Sequence, residues 1–249
     1  MKSKRTAKSN GVDRVALFLG CRAKYLEPEV GKAMIQVLLK NGICPSFLAQ
    51  KCCAMPKLAC GDKEGFVSYG KFNVQSLYKS GCDIVTDCTS CALTLKREYP
   101  EILRNGKSEA VAQRTFDVLE YLVMLRSHDR LKTDFRAIDL KVYYHSPCHL
   151  RALGTEKVDE RIRLMKLIPG INLTGLENGG CCGMGGTFGF KKSNYEMSMA
   201  IGHPLFEKIK EISPAVVTTE CSMCKTQIEQ GTGLRVIHPV EIFRQAYDI

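Results

Sequence analysis

The chain is 249 residues long, 45% of its residues are hydrophobic, and 13 of them are cysteine. It begins with a basic, polar stretch that lacks the apolar core of a secretory signal, and no apolar run approaches the ~18 residues of a membrane span. We therefore expect a cytoplasmic protein whose cysteines bind metal or carry out redox chemistry rather than form a disulfide framework. The net charge is +10, but the lysines and arginines are scattered, which argues against a nucleic-acid partner.

Short apolar runs and helical patterns alternate in the first half of the chain. Residues 28–40 show the helical pattern clearly, because Pro28 suits a first turn, apolar residues recur on one face, and Gly42 is placed to end the helix. In chain order, the predicted elements are a strand at 15–19, a helix at 28–40, a strand at 43–48, a helix at 65–80, a strand at 84–86 and a helix at 116–126.

The second half repeats this order of elements. The predictions there are a strand at 142–144, a helix near 157–168, a strand at 171–176, a helix broken at Pro204, and a strand at 216–218. Such alternation predicts an α/β fold with parallel sheets. Because a polar stretch at 127–140 separates the halves, we predict a tandem duplication of two Rossmann-like parallel-sheet domains. These are residues 14–133 and 134–249, preceded by a flexible basic segment at 1–13.

Ten cysteines fall into two copies of one pattern: a single cysteine, an adjacent pair, and a C-x-x-C motif. The gaps are 30 and 34 residues in the first copy and 32 and 38 in the second, and IVTDCTSC at 84–91 matches VVTTECSMC at 216–224. Cysteines that follow predicted strands meet at the C-terminal ends of the strands, where open α/β sheets bind ligands. The predicted ligand sets are Cys21, Cys52, Cys53, Cys88 and Cys91 in the first copy, and Cys148, Cys181, Cys182, Cys221 and Cys224 in the second.

Three kinds of group could explain five clustered thiols. Structural zinc needs four ligands, and an adjacent pair such as Cys52–Cys53 chelates one small ion poorly, because neighbouring residues of an extended chain point to opposite sides. A dithiol–disulfide exchanger uses one C-x-x-C motif and leaves the other repeated cysteines unexplained. An iron–sulfur cluster is held by thiolates, and the glycines within 178–186 would let backbone N–H groups approach its sulfurs. The pattern favours iron–sulfur clusters, and zinc stays an alternative at the first site.

The second copy contains three longer motifs: SPCHLRALG at 146–154, CCGMGGTFGFKKSNY at 181–195 and VVTTECSMCKTQIEQGTGLRVIHPVEI at 216–242. With them the chain resembles the cysteine-rich (CCG) domains found in heterodisulfide reductase, in its subunit designated B, and in related proteins. The motifs are most similar to those of the iron–sulfur subunits of anaerobic glycerol-3-phosphate dehydrogenases. The resemblance covers residues 14–246.

This resemblance implies two noncubane [4Fe–4S] clusters, one for each five-cysteine set. It implies an electron-transfer subunit of an oxidoreductase complex, acting between a flavoprotein dehydrogenase subunit and a quinone, ferredoxin or disulfide acceptor. The relatives' ferredoxin module has no counterpart in the chain, so a ferredoxin-type [4Fe–4S] subunit is expected as a partner, with association at the inner face of the membrane through a quinone-reducing partner. The alternatives are a catalytic heterodisulfide reductase subunit and a zinc-stabilised scaffold without a redox role. The first copy departs from the family pattern, because Ala54 replaces the glycine of CCG.

Several residues outside the repeat have weaker signals. Cys44 and Cys82 are predicted to be small buried residues, and Cys60 to be packing rather than a ligand of the first cluster. His145 and His149 flank Cys148 and could ligate or tune a cluster or relay a proton, but hydrogen bonding at the sheet edge is the favoured interpretation. The remaining expectations are solvated lysines at 191 and 192, and turns or helix starts at His203–Pro204 and His238–Pro239.

Overall fold

Each half of the chain folds into a parallel β-sheet flanked by helices, which confirms the predicted α/β duplication. The computed structural model describes residues 8–9, 12–175 and 180–249. Two units can be separated, unit 1 at residues 1–132 and unit 2 at 133–249. The sequence-based boundary, between 133 and 134, lies one residue further along the chain.

Unit 1 contains the first-copy cysteines. Its strands are β1 (Lys8–Ser9), β2 (Val12–Phe18), β3 (Ile43–Phe47), β4 (Asp83–Thr86) and β5 (Thr115–Asp117). Its helices are α1 (Cys21–Tyr25), α2 (Pro28–Lys40), α3 (Met55–Ala59), α4 (Lys63–Ser80), α5 (Thr89–Leu93), α6 (Tyr99–Leu103), α7 (Gly106–Gln113) and α8 (Val118–Ser127), with a π-helical turn at Thr94–Glu98 between α5 and α6.

Unit 2 contains the second-copy cysteines. Its strands are β6 (Leu140–Tyr144), β7 (Ile171–Gly175), β8 (Val216–Thr218) and β9 (Val236–Ile237). Its helices are α9 (Cys148–Ala152), α10 (Glu156–Met165), α11 (Tyr195–Ile212), α12 (Ser222–Thr232) and α13 (Pro239–Ala246), with short 3₁₀ turns at Phe188–Phe190 and Lys192–Asn194.

The two sheets share one strand order. The parallel strands run β3-β2-β4-β5 in unit 1 and β7-β6-β8-β9 in unit 2, and β1 adds an antiparallel pair to β2. In each unit the second parallel strand of the chain lies on one side of the first, and the third lies on the other. The strand order therefore reverses between β2 and β4 and between β6 and β8, and open α/β sheets bind ligands beyond the strand C-termini at such a point.

Local signals explain most helix boundaries. Pro28 begins α2, whose buried face is wholly apolar apart from Gly31. Asp62 caps α4 by accepting a hydrogen bond from the Gly65 N–H at 2.8 Å, and Gly81 ends that helix at φ 67°. His238 caps α13, as expected for a helix start at His238–Pro239.

Three sequence-based expectations need correction. The predicted helix at 116–126 begins only at Val118, because 115–117 form β5. The predicted break at Pro204 is wrong, since α11 runs through it. Pro204 and Ala200, whose carbonyl loses its helical donor, are both exposed, so water can solvate that carbonyl. Residues 8–9 and 12–13, expected to be flexible, pair as strands, and the rest of segment 1–13 lies outside the described residues.

Among the helices within the described residues, none combines the length and the apolar character that crossing a lipid bilayer would require.

Candidate metal centres

The five first-copy cysteines gather at the C-terminal edge of the unit 1 sheet. Cys21 is the first residue of α1, Cys88 precedes α5 as its N-cap, Cys91 lies in the first turn of α5, and Cys52 and Cys53 follow β3. Thiol–thiol hydrogen bonds connect Cys21 to Cys52, Cys52 to Cys53, Cys53 to Cys91, and Cys91 to Cys88. The structure thus brings together the whole predicted set.

The second-copy cysteines occupy the same places in unit 2. Cys148 is the first residue of α9, Cys221 is the N-cap of α12, and Cys224 lies in the first turn of α12. The Sγ atoms of Cys182 and Cys224 lie 3.4 Å apart, and Cys221 also hydrogen-bonds to Cys224. Cys181 and Cys182 act electrostatically on the Cys148 thiol, so all five groups share one neighbourhood.

Each set extends from solvent into the protein core. The first cysteine of each set, Cys21 or Cys148, is exposed. The second member of each adjacent pair and the last cysteine of each C-x-x-C motif are buried; these are Cys53, Cys91, Cys182 and Cys224. A group held by either set would therefore have one side open to the surface and the other enclosed by protein.

The residue after each adjacent pair has a left-handed backbone, although it is alanine in one copy and glycine in the other. Ala54 has φ 66° and Gly183 has φ 85°, both in the left-handed region. The Ala54 N–H donates to Cys52 Sγ at 3.4 Å, and the Gly183 N–H donates to Cys181 Sγ at 3.4 Å. The departure from CCG in the first copy therefore leaves the N–H···S geometry unchanged.

The thiols of each set strongly perturb one another's ionisation. Hydrogen bonds from Cys21 and Cys53 lower the pKa of Cys52 to about 2. The hydrogen bond to Cys52, together with burial, raises the pKa of Cys53 to about 12. In unit 2 the hydrogen bond from Cys224, and a weaker one from His145, lower the pKa of Cys182 to about 5. Each set thus favours the thiolate form at some of its cysteines and resists ionisation at the others, a state that bound cations relieve.

An acidic residue precedes each C-x-x-C motif and ties its loop to a neighbouring element. In unit 1, Asp87 accepts a hydrogen bond from the Gly20 N–H at 2.6 Å, and burial raises the pKa of its carboxyl group to about 6. In unit 2, the corresponding Glu220 pairs with Arg161 of α10 at 3.1 Å and accepts a hydrogen bond from the Tyr144 hydroxyl at 2.9 Å. These contacts connect the C-x-x-C loop to the loop after β2 in unit 1, and to α10 and β6 in unit 2.

Side chains from the helices hold the backbone of each adjacent pair. In unit 1 the Tyr99 hydroxyl donates to the Cys53 carbonyl at 3.0 Å, and the Asn73 amide donates to the Cys52 carbonyl at 3.1 Å and to the Tyr99 oxygen at 3.0 Å. In unit 2 the Ser198 hydroxyl donates to the Gly183 carbonyl at 2.8 Å and accepts from the Gln227 amide at 2.9 Å. No motif in the sequence identified these supporting residues.

We expect Tyr99→Phe to destabilise unit 1 by about 1–3 kcal/mol, because the buried Cys53 carbonyl loses its donor and the Asn73 amide loses an acceptor. The ring itself is fully buried and stays in place as phenylalanine. The measurement is the free energy of unfolding in urea. Tyr78→Phe is the matched control, since its side chain is 43% exposed and its change should stay within about 0.5 kcal/mol. Equal effects of the two substitutions would show that the Tyr99 hydroxyl does not support the pair.

The donor sets fit a thiophilic metal group better than a disulfide framework. All ten repeated cysteines are free thiols. Three buried hydroxyl oxygens next to them have no hydrogen-bond partner within the described part of the chain: Thr89 Oγ1 beside Cys88, and Ser146 Oγ and Thr219 Oγ1 in the two loops of unit 2. Because buried hydroxyls are nearly always paired, these orphaned donors indicate that each site accepts a further group with acceptor atoms, as sulfide or thiolate would supply.

The structure also places the residues whose role the sequence left open. Cys44 and Cys82 are half-buried, and Cys60 is exposed at the end of α3. Lys191 and Lys192 are exposed, as expected. His203 lies inside α11, so the expected turn or helix start there is wrong. Residues 178 and 179 of the glycine-containing stretch lie outside the described residues.

His145 differs from the other histidines. Its ring nitrogen, Cys182 Sγ and Cys224 Sγ all lie within 4.8 Å of one another, and all three residues are buried. The sequence flagged this histidine but favoured a role at the sheet edge.

Comparison with known proteins agrees with the duplicated thiol sites. The family described as "Cysteine-rich domain" (CCG) matches residues 15–96 and 142–229, which covers one segment in each unit. The chain belongs to the CCG cysteine-rich domain family. Both matched segments include one complete five-cysteine set.

Curated relatives extend this result. The subunit designated C of the anaerobic glycerol-3-phosphate dehydrogenase of Escherichia coli K12 is 37% identical over 240 residues, covering 94% of this chain and 59% of that protein. The subunit designated B of the fumarate reductase (CoM/CoB) of Methanothermobacter marburgensis is 30% identical, covering 96% of this chain and 47% of that protein. Lactate utilization protein A of Geobacillus kaustophilus is 30% identical, covering 92% of this chain and 98% of that protein. The chain thus spans about half to three fifths of the first two relatives.

Proposed function

We propose that this chain is an iron–sulfur electron-transfer subunit of a multi-subunit oxidoreductase. Each unit would hold one noncubane [4Fe–4S] cluster through its five cysteines. The main observation behind this proposal is that two complete sets of five free thiols gather at the C-terminal ends of the strands. Each set lies where the strand order of its sheet reverses. Thiolates are the protein ligands of iron–sulfur clusters, and five exceed the four of an ordinary cubane.

A bound cluster would supply a one-electron carrier, and the chain's own groups would set its environment. The N–H groups of Ala54 and Gly183 donate to Cys52 and Cys181, and such hydrogen bonds raise the reduction potential of a cluster. The hydroxyl groups of Tyr99 and Ser198 donate hydrogen bonds to the Cys53 and Gly183 carbonyls and thereby hold both pairs in position. The exposed side of each set, at Cys21 and Cys148, gives a partner close access.

The relatives' names support a role within a complex rather than as a free enzyme. Two of them are subunits of a dehydrogenase and of a reductase. We therefore propose a flavoprotein dehydrogenase subunit as electron donor, a ferredoxin-type [4Fe–4S] module as intermediate carrier, and a quinone, ferredoxin or disulfide as acceptor. The proposed location is cytoplasmic, with attachment to the inner face of the membrane through the partners.

The test is metal analysis after anaerobic purification. We expect iron and acid-labile sulfide in both units, so Cys53→Ser and Cys182→Ser should each remove the iron of one unit and leave the other unit's iron in place. The matched control is Cys44→Ser, a half-buried cysteine outside both sets, which should retain all the iron. Zinc without iron or sulfide would overturn the proposal in favour of a scaffold. Cleavage of a disulfide by the isolated chain would replace electron transfer with catalytic disulfide reduction.

A further inference from the structure

His145 is held rigidly at the edge of the unit 2 sheet. It directly follows β6, and its backbone N–H donates to the Thr218 carbonyl at 2.9 Å, which extends the pairing with β8. Residues two apart on a strand lie on the same face of the sheet, so His145 shares a face with Tyr143. Tyr143 packs in one core cluster with Cys182 and Cys224. The fold therefore directs the imidazole towards the buried end of the second thiol set.

The imidazole and two thiols form a preassembled group of donors. A ring nitrogen of His145 and the sulfurs of Cys182 and Cys224 lie within 4.8 Å of one another, and the two sulfurs are 3.4 Å apart. Tetrahedral coordination with ordinary metal–nitrogen and metal–sulfur bonds separates such donors by about 3.6–3.8 Å. Small side-chain adjustments would let the three donors share one metal ion. Cys221, in contact with Cys224, is the nearest candidate for a fourth ligand.

The first thiol set has no such nitrogen. The residue three positions before Cys21 is Phe18, which corresponds to His145 three positions before Cys148. Phe18 is fully buried and packs with Cys53 and Cys91, so an apolar ring fills the place that the imidazole has in unit 2. Within the described residues, His145, Cys182 and Cys224 form the one group of three such side chains whose donor atoms all lie within 4.8 Å of one another.

We propose that His145 is a direct metal ligand of the second site, binding through nitrogen the ion that Cys182 and Cys224 bind through sulfur. Unit 2 would then hold a mixed nitrogen–sulfur site for a borderline-soft divalent ion such as Fe²⁺ or Zn²⁺, whereas unit 1 holds a site of sulfur alone. A neutral imidazole brings less negative charge to the metal than a thiolate does. If the imidazole takes the place of one of the five thiolates, the cluster of unit 2 carries less negative charge than that of unit 1 and has the higher reduction potential. The identity of the ion as cluster iron rests on the proposed function.

The test measures nitrogen coordination directly. The full chain is labelled with ¹⁵N-histidine, purified anaerobically, reduced, and examined by pulsed electron paramagnetic resonance. The expected result is a hyperfine coupling of the size of a directly bound nitrogen. It should disappear in His145→Phe, which introduces the residue of unit 1, and persist in His149→Gln. In protein that contains iron, the absence of this coupling from the unsubstituted chain, or its persistence in His145→Phe, would overturn the proposal.

A second arm separates this inference from the proposed function. The same labelled chain is stripped of metal and loaded with Co²⁺, a paramagnetic probe that takes tetrahedral nitrogen and sulfur ligands. A bound ¹⁵N in the cobalt form, lost in His145→Phe, supports the His145 site even if the purified protein contains no iron. Iron and sulfide present without a bound ¹⁵N in either form would leave the proposed function standing and overturn the role of His145. The labelled unsubstituted chain gives this answer even if the His145→Phe protein fails to fold.

Discussion

Substitution of Gly183 by alanine is expected to destabilise unit 2 by at least about 3 kcal/mol and to abolish metal binding there. A Cβ atom at this position would lie 1.9 Å from the Ser198 carbonyl oxygen and 2.9 Å from the Gly202 nitrogen, both backbone atoms of α11. The backbone of Gly183 is also left-handed, at φ 85°, which strains any residue with a Cβ. Either α11 or the Cys181–Cys182 pair must therefore move.

The measurement is hydrogen exchange of the β6 and β8 amides, which reports the stability of unit 2 by itself, combined with metal content. We expect faster exchange at these amides and unchanged exchange at β2 and β4 of unit 1. The matched control is Ala54→Gly at the corresponding position. In this control, glycine relieves about 1–2 kcal/mol of left-handed strain. It also loses the burial of a methyl group, about 0.8 kcal/mol, and adds backbone entropy to the unfolded chain, about 0.5–1 kcal/mol. These terms nearly cancel, so the stability of unit 1 should change little. A Gly183→Ala protein as stable as the control would disprove the close approach of α11.

This pair of positions shows why the first copy reads CCA and the second CCG. Both require a left-handed residue, and alanine tolerates that conformation at a modest cost. In unit 2 the backbone of α11 lies too close to the residue after the pair to leave room for a Cβ atom. Sequence comparison of the copies detected the difference, and the structure explains it by the packing of α11 against Gly183.

The sequence predicted the elements that carry strong local signals. The apolar runs of β2, β3, β4, β6 and β8 and the helix at 28–40 appear where expected. The strands β5 and β9 escaped prediction because they are only three and two residues long and depend on pairing with β4 and β8. The prediction at Pro204 failed because a proline on the exposed side of a long, packed helix can be accommodated.

For the site, the sequence predicted the two thiol sets but not the residues that support them. The repeated cysteine pattern predicted both thiol sets, and the structure brings each set together. Tyr99 and Ser198 are single polar residues on helices, and their contacts depend on tertiary packing that no short motif encodes. A signal did exist for Glu220, since an acidic residue directly precedes the C-x-x-C motif in both copies, as Asp87 and Glu220.

Substitution of Arg161 by methionine is expected to destabilise unit 2 by about 3–5 kcal/mol, because it leaves the Glu220 carboxylate buried without its guanidinium partner. Arg161 and Glu220 are 0% and 1% exposed, and their ion pair closes at 3.1 Å. Glu220 directly precedes Cys221, so loss of the pair should also weaken metal binding by the second set. The measurement is hydrogen exchange of the β6 and β8 amides together with the metal content of unit 2.

The double variant Arg161→Met/Glu220→Gln separates electrostatics from packing. If the loss in Arg161→Met comes from an uncompensated buried charge, removing that charge should restore most of the stability, since buried ion pairs are often replaceable by neutral groups. In unit 1 the helix that corresponds to α10 is α2, which likewise follows the first parallel strand and a short helix. The buried face of α2 is apolar apart from one glycine and contains no arginine, so this helix position can pack without a buried ion pair. A double variant as unstable as Arg161→Met would instead mean that the guanidinium fills space that methionine cannot. If metal binding by the second set recovered together with stability, the ion pair would act by fixing the loop of Cys221 rather than by its charge.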